Sequence, residues 1–172
     1  MATSPPTRDP MVRPSRPEDL AEIQAIAGHH ILTGTGSFEE VPPDLATLAA
    51  ARERILADGL PHLVALADGV VGGFAQATSF RPRPAYRFTA EDSVYVHPGL
   101  MRRGIGRALL QEVIEQVRAA GRRQLIAVIG DSANTPSIAL HAALGFEQVG
   151  VCRDVGFKFG RWLDIVLMQR AL

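Results

Sequence analysis

The sequence predicts one mixed α/β domain, and three observations predict it. The chain has 172 residues, and a domain takes roughly 100–200. Apolar residues make up 47% of it, enough to close one sizeable core. Helix-like and strand-like segments alternate along it, with no repeat and no linker after residue 10.

Residues 1–10 (MATSPPTRDP) hold three prolines and little to bury, which predicts a loose tail ahead of a folded unit at 11–172. Ser15 and Glu18 have the spacing of a capping box, with Pro17 in the first turn. Leu20, Ile23, Ile26, His30 and Ile31 then recur at helical spacing, until Gly34, Gly36 and Pro42-Pro43 break the pattern into a loop. A second helix starts at Asp44, carries Leu45, Leu48, Ile55 and Leu56, and stops at Gly59. Strands His62–Ala67 and Val70–Ser79 flank Asp68-Gly69, a two-residue hairpin signal. FRPRPAYR is too rich in proline and arginine for either element and reads as a loop. Thr89–Val96 is a strand with Glu91, Ser93 and Tyr95 on one face. After His97-Pro98-Gly99, Ile105, Leu109, Val113 and Val117 mark the most regular helix, capped by Gly121. Leu125–Ile129 is a buried strand, and Thr135-Pro136 opens a short helix that ends at Gly145. Phe146–Val155 and Leu163–Gln169 are the last strands.

Lys plus Arg number 18 and Asp plus Glu number 18, so the formal charge is zero. A neutral chain lacks the basic excess that draws a protein broadly to nucleic acid or anionic lipid. The single cysteine, Cys152, has no internal disulfide partner. There is no apolar run of the roughly 18 residues a membrane span needs. The first ten residues lack the order of a secretory signal, so a cytoplasmic location is expected. The five histidines show no metal-ligand spacing, so no metal is expected.

The sharpest motif is Arg102-Arg103-Gly104-Ile105-Gly106-Arg107, between a strand and a helix. Glycines let backbone amides approach an anion, and a helix N-terminus adds free N–H donors. Three arginines add full charges, which suits a pyrophosphate. The bland alternative is a loop with glycines for geometry and arginines for solubility. A dinucleotide fingerprint would need a third glycine where Leu109 stands, and the Gly-Lys-Ser/Thr of a Walker loop is missing.

VYVHPGLMRRGIGRALL, followed by DSANTPSIALHAALGFEQVG, resembles the acetyl-CoA site of the GNAT superfamily of N-acetyltransferases. FRPRPAYRFTAEDSVYVHP and VGFKFGRWLDIVLMQ resemble a narrower group, the phosphinothricin and methionine sulfoximine acetyltransferases. The likeness runs from about Met11 to the end of the chain. It implies a mixed central sheet of about seven strands and about four helices, the sheet splayed open near Val96. Acetyl-CoA is then the implied cosubstrate. Its pantetheine would lie on main-chain groups of Val94, Tyr95 and Val96 like an extra strand. Its pyrophosphate would sit on the amides from Arg102 to Arg107. Asn134 and Ser137 match positions that hold pantetheine, although a helix cap accounts for Asn134 equally well. One departure is Met101, where the superfamily usually has Gln or Arg; the amides remain, and Arg102 is placed to compensate.

For acetyl transfer to an amine, the resemblance implies Glu91 as the base, directly or through water. Pairing of Glu91 with Arg81, Arg83 or Arg87 is the structural alternative. His141 matches the residue that would give a hydrogen bond to the leaving sulfur, against the alternative of a packed helix histidine. Asp92 stands where the group frequently has histidine, which questions any relay through it. Arg81, Arg83, Arg87 and Tyr86 suit a zwitterionic amino acid with a second polar group, unless they form a solvated basic loop. Phe38, Glu39 and Glu40 lie in the loop that shapes the acceptor pocket in relatives, and Lys158 and Phe159 would reach a neighbouring subunit's pocket. The resembled enzymes are homodimers. The expected activity is acetylation of the α-amine of a small amino acid or analogue by direct attack in a ternary complex, as in antibiotic or herbicide resistance. The alternatives are another amine acceptor or a silent acetyl-CoA-binding module.

Overall fold

Local patterning and turn chemistry produce four α-helices and seven strands among the described residues, 10–172 of a computed structural model. Residues 1–9 of the tail expected at 1–10 lie outside them. In chain order the elements are β1 (Met11–Pro14), α1 (Leu20–Thr33), α2 (Leu45–Ala57), β2 (His62–Ala67), β3 (Val70–Ser79) and β4 (Thr89–Val96). They continue with α3 (Ile105–Ala119), β5 (Gln124–Gly130), α4 (Thr135–Ala143), β6 (Glu147–Lys158) and β7 (Arg161–Ala171). The strands form one sheet in the order β1-β2-β3-β4-β5-β7-β6. Every pairing is antiparallel except β4 with β5.

Two faces of the sheet are covered. Ile105, Leu109, Leu110, Val113, Ile114 and Val117 of α3 are buried against Leu63, Ala65, Ala75, Ala77, Ala90, Leu125 and Ala127. Small residues on the strands let α3 sit close: a Cβ at Gly73 would collide with Ile105 and with the Tyr95 carbonyl. On the other face Leu20, Ile23, Ile26 and Ile31 of α1 pack on Val64, Val71 and Phe74. By the two-residue period of β4, Glu91, Ser93 and Tyr95 face α1, while Asp92, Val94 and Val96 face α3 and α4.

Three elements differ from expectation. Strand β1 is four residues long and pairs with β2 only, so its Pro14 costs no central ladder bond; four residues are too few for a legible alternation. The Ser15–Glu18 capping box does not form. A 3-10 turn at Pro17–Asp19 leads into α1, and the Asp19 carboxylate accepts from the Arg16 N–H at 2.7 Å. Ser15 instead bonds His62 Nδ1 and Arg52 Nε, each at 2.8 Å. Strands β6 and β7 are longer than the pattern shows and meet in a tight turn at Phe159-Gly160, with φ of 52° and 73°. The Asp68-Gly69 turn has the same left-handed pair, 53° and 85°. Two successive positive φ angles match the strands' twist, which is why such turns close hairpins.

Candidate active site

The β4–β5 ladder runs from Thr89↔Gln124 to Asp92↔Ala127 and stops. Beyond it the strands diverge around a cavity of about 450 Å³. Its walls are Asp92–Val96 of β4, Ala127–Ile129 of β5, the Gly34–Gly36 loop and the Asn134–His141 side of α4. The His97 N–H donates to the Gly72 carbonyl. By the antiparallel alternation, the main-chain groups of Val94 and Val96 therefore turn away from β3 and into this cleft. Those of Tyr95 turn toward β3, so of the three expected main-chain positions two face the opening.

The mouth of the cleft meets the start of α3. Gly104 caps the helix at φ 78°, and its carbonyl accepts from the Ala108 N–H. The amides of Ile105, Gly106 and Arg107 thus have no intrahelical partner and sit at the positive end of the helix dipole. Gly106 is constrained by space, since a Cβ there would press on Leu140 and Val96. Arg102, itself at φ 62°, and Arg107 are exposed. Arg103 is tied to Asp68 of the β2–β3 turn at 2.8 Å, so it is not free in the cradle as expected.

Asn134 caps α4: its side chain accepts from the Ser137 N–H at 3.4 Å. It also lines the cavity, as do Ser137 and Met101, so the cap does not take Asn134 out of the cleft. His141 is 4% exposed and Asp92 6%. His141 Nε2 lies 2.9 Å from Asp92 Oδ2, and Nδ1 lies 2.8 Å from the Ser137 carbonyl oxygen. With both ring nitrogens engaged, His141 offers no free N–H to a sulfur, contrary to expectation. Burial pushes its pKa down, but the bond and charge of Asp92 and the Ser137 carbonyl raise it overall.

Glu91 sits one rung before Asp92, opposite Ile126, and points to the α1 face. It is not among the cavity-lining residues, and the structure sets it and His141 on opposite sides of β4. Burial raises its carboxyl above the usual range; Asp92 adds to that and Arg81 opposes it. Burial likewise raises the Tyr95 phenol on the same face. Arg81, Arg83, Tyr86 and Arg87 lie exposed on the β3–β4 loop, where Arg81 stacks over Phe80 and Arg87 over Phe88.

Lys158 corrects an expectation. It is the last residue of β6, 3% exposed, and its Nζ donates to the carbonyls of Gly34 at 3.0 Å and Ser37 at 2.7 Å in its own chain. It pins the α1–α2 loop instead of reaching a neighbour. Phe38 completes that anchoring, with its ring over Gly130 and Gly156, while Glu40 remains exposed. Phe159 is 57% exposed at the hairpin tip.

The sequence reading missed two residues of the cleft. His30, taken as an ordinary helix residue, bonds the Val96 carbonyl through Nε2 at 2.8 Å and lines the cavity. A carbonyl only accepts, so Nε2 carries the hydrogen. It supplies the partner that β5 withdraws by diverging. Asp131 accepts from Thr35, Arg161 and the Ala133 N–H, joining three segments at the cavity rim. Neither the His30–Val96 bond nor the bonds of Asp131 to Thr35 and Arg161 have a local sequence signal.

A sheet split along its one parallel pairing, with a glycine-bordered helix start at the split, is the architecture of an acyl-CoA-type acetyltransferase. The chain belongs to the acetyltransferase (GNAT) family, whose model matches residues 25–146. It is 56% identical to the phosphinothricin N-acetyltransferase of Alcaligenes faecalis, over 94% of this chain and 82% of that one. It is 42% identical to the L-methionine sulfoximine/L-methionine sulfone acetyltransferase of Pseudomonas aeruginosa, over 92% of each. The solved structure of a GNAT superfamily phosphinothricin acetyltransferase from Sinorhizobium meliloti, in complex with acetyl-CoA, superposes with a TM-score of 0.92. That structure has 45% identity and covers 95% of this chain and 89% of its own.

Proposed function

We propose that this N-acetyltransferase moves the acetyl group of acetyl-CoA to the α-amine of a small amino acid or a close analogue, phosphinothricin and methionine sulfoximine among them. Direct attack in a ternary complex is the route. The observation that carries the reading is the abrupt end of the β4–β5 ladder at Asp92, which leaves the main-chain groups of Val94 and the N–H of Val96 facing the cleft beside the first turn of α3. Acetyl-CoA supplies an activated thioester carbonyl when bound. Val94 and Val96 bind its pantetheine arm, and their amides offer donors to a developing oxyanion. The amides of Ile105, Gly106 and Arg107, with Arg102, hold the pyrophosphate. Glu91 takes the ammonium proton, a task its burial suits.

The acceptor enters from the α1 face, under the loop that carries Phe38 and Glu40. Arg81, Arg83, Arg87 and Tyr86 grip its carboxylate and second polar group. Val149, Val151, Val155, Phe157, Phe159 and Trp162 are exposed on the β6–β7 hairpin, and this apolar surface supports a homodimer.

The test is thiol release from acetyl-CoA across amino acids, their phosphinate and sulfoximine analogues, and polyamines. The expected result is release with the zwitterionic acceptors. A cationic amine as best substrate would overturn the acceptor assignment, and no release with any amine would overturn the activity.

A further inference from the structure

Asp92 occupies the last rung before the sheet divides, and its carboxylate meets His141 inside the cleft wall. The hydrogen bonds constrain how many protons this pair carries. The Ser137 carbonyl only accepts, so Nδ1 of His141 bears a hydrogen. At 2.9 Å, Nε2 and Oδ2 also need a proton between them. Without it, a ring lone pair would face an ionised carboxylate with both groups shielded from water, a repulsive arrangement. The pair therefore holds one proton beyond a neutral ring and an ionised carboxylate.

The groups facing His141 come from three places. Asp92 comes from β4, Ser137 from its own helix, and Phe146 lies edge-on with ring centroids 5.0 Å apart. Glu91 adjoins Asp92 in sequence but points to the opposite face. Asp131, at the rim of the same cavity, is already engaged by Thr35, Ala133 and Arg161. Asp92 Oδ1 is buried and has no hydrogen-bond partner among the described residues, so the carboxylate has only its His141 contact to offset its desolvation.

We propose that Asp92 is a positioning residue that acts through His141: it holds the ring doubly protonated in the cleft wall, where the ring's charge, and not a free N–H, offsets negative charge on the departing thiol group, and it bars the ring from acting as the base. The inference deepens the acetyl-transfer reading and rests on it. It assigns proton removal to Glu91 on the opposite face and charge stabilisation to His141. The raised pKa of His141, won against burial, agrees with the geometry.

The decisive measurement is an NMR titration of His141 in the full chain, in the unsubstituted protein and in Asp92→Asn and Asp92→Glu, beside the pH dependence of kcat for thiol release. In the unsubstituted protein the ring should keep its proton above the ordinary histidine value. In Asp92→Asn burial is opposed only by the Ser137 carbonyl, so the ring should titrate lower than in the unsubstituted protein and below that value. Its kcat should then fall about tenfold from about pH 6 to about pH 8 while the KM for acetyl-CoA stays within about twofold. Asp92→Glu keeps a carboxylate and should recover part of both properties. A His141 that titrates below the ordinary value in the unsubstituted protein overturns the proposal without recourse to any variant. So does an Asp92→Asn enzyme with an unaltered pH–rate profile. Absence of thiol release from the unsubstituted protein would defeat the acetyl-transfer reading instead, and the titration would still report the proton count of the pair.

Discussion

Glu91 and His30 show how single residues acquire roles from position. A glutamate in water is a weak base at neutral pH; burial, with Asp92 beside it, raises its affinity for a proton. Glu91→Gln should lower kcat by about 10²–10⁴ while leaving acetyl-CoA binding near the unsubstituted value, as stopped-flow turnover and calorimetric titration would check. Unchanged turnover at neutral pH would remove Glu91 from the mechanism. His30 fills the hydrogen-bonding valence of Val96 that β5 leaves open. His30→Leu strands that carbonyl at a cost of about 1–3 kcal/mol. Acetyl-CoA affinity should weaken by about tenfold, with partial recovery in His30→Gln, whose amide can still donate.

Among the elements, the α1–α2 loop depends most on distant partners. Its backbone is held by Lys158 from the end of β6, its Thr35 by Asp131, and its Phe38 by a slot over two glycines. Gly156 has no left-handed backbone requirement; it is there because a Cβ would run into the Phe38 ring. Gly156→Ala should push that ring and its loop aside, raising the KM for the amino-acid acceptor about tenfold with little change for acetyl-CoA, readable by steady-state kinetics. Helix α3 is the opposite case. Its apolar stripe and bordering glycines are local features, so its extent was legible from 15 residues and their flanks.

For the whole molecule, acid stability turns on a group far from the cleft. His62 is buried where β1, β2 and α2 meet, bonded to Ser15, which also binds Arg52. Burial first, and the Arg52 charge second, lower its pKa from 6.5 to about 4, with Asp19 opposing. The folded state thus binds the proton less readily than the unfolded chain does. Its contribution is complete above about pH 6.5, and stability is lost as the pH falls from there toward 4. The loss amounts to about 3 kcal/mol. Urea midpoints measured across that range should fall with pH, and His62→Gln should flatten the slope. An unchanged slope in the variant would assign the effect to other groups.

The sequence by itself determined the elements whose causes lie within a few residues. These are the α3 stripe, the Asp68-Gly69 hairpin, the Gly104 helix start and the proline-broken loop before β4. Family motifs carried the cofactor region for the same reason, being contiguous runs. Only the tertiary structure decided what the cleft does with its side chains. His30 meets Val96 across 66 positions, Asp92 meets His141 across 49, and Lys158 meets Gly34 across 124. It also decided that Lys158 turns inward while the β6–β7 hairpin leaves its aromatic residues exposed. Periodicity and turn chemistry act along the chain. Which carbonyl loses its partner, and which buried carboxylate finds an imidazole, depends on where two strands stop pairing, and that is settled when the sheet packs between its helices.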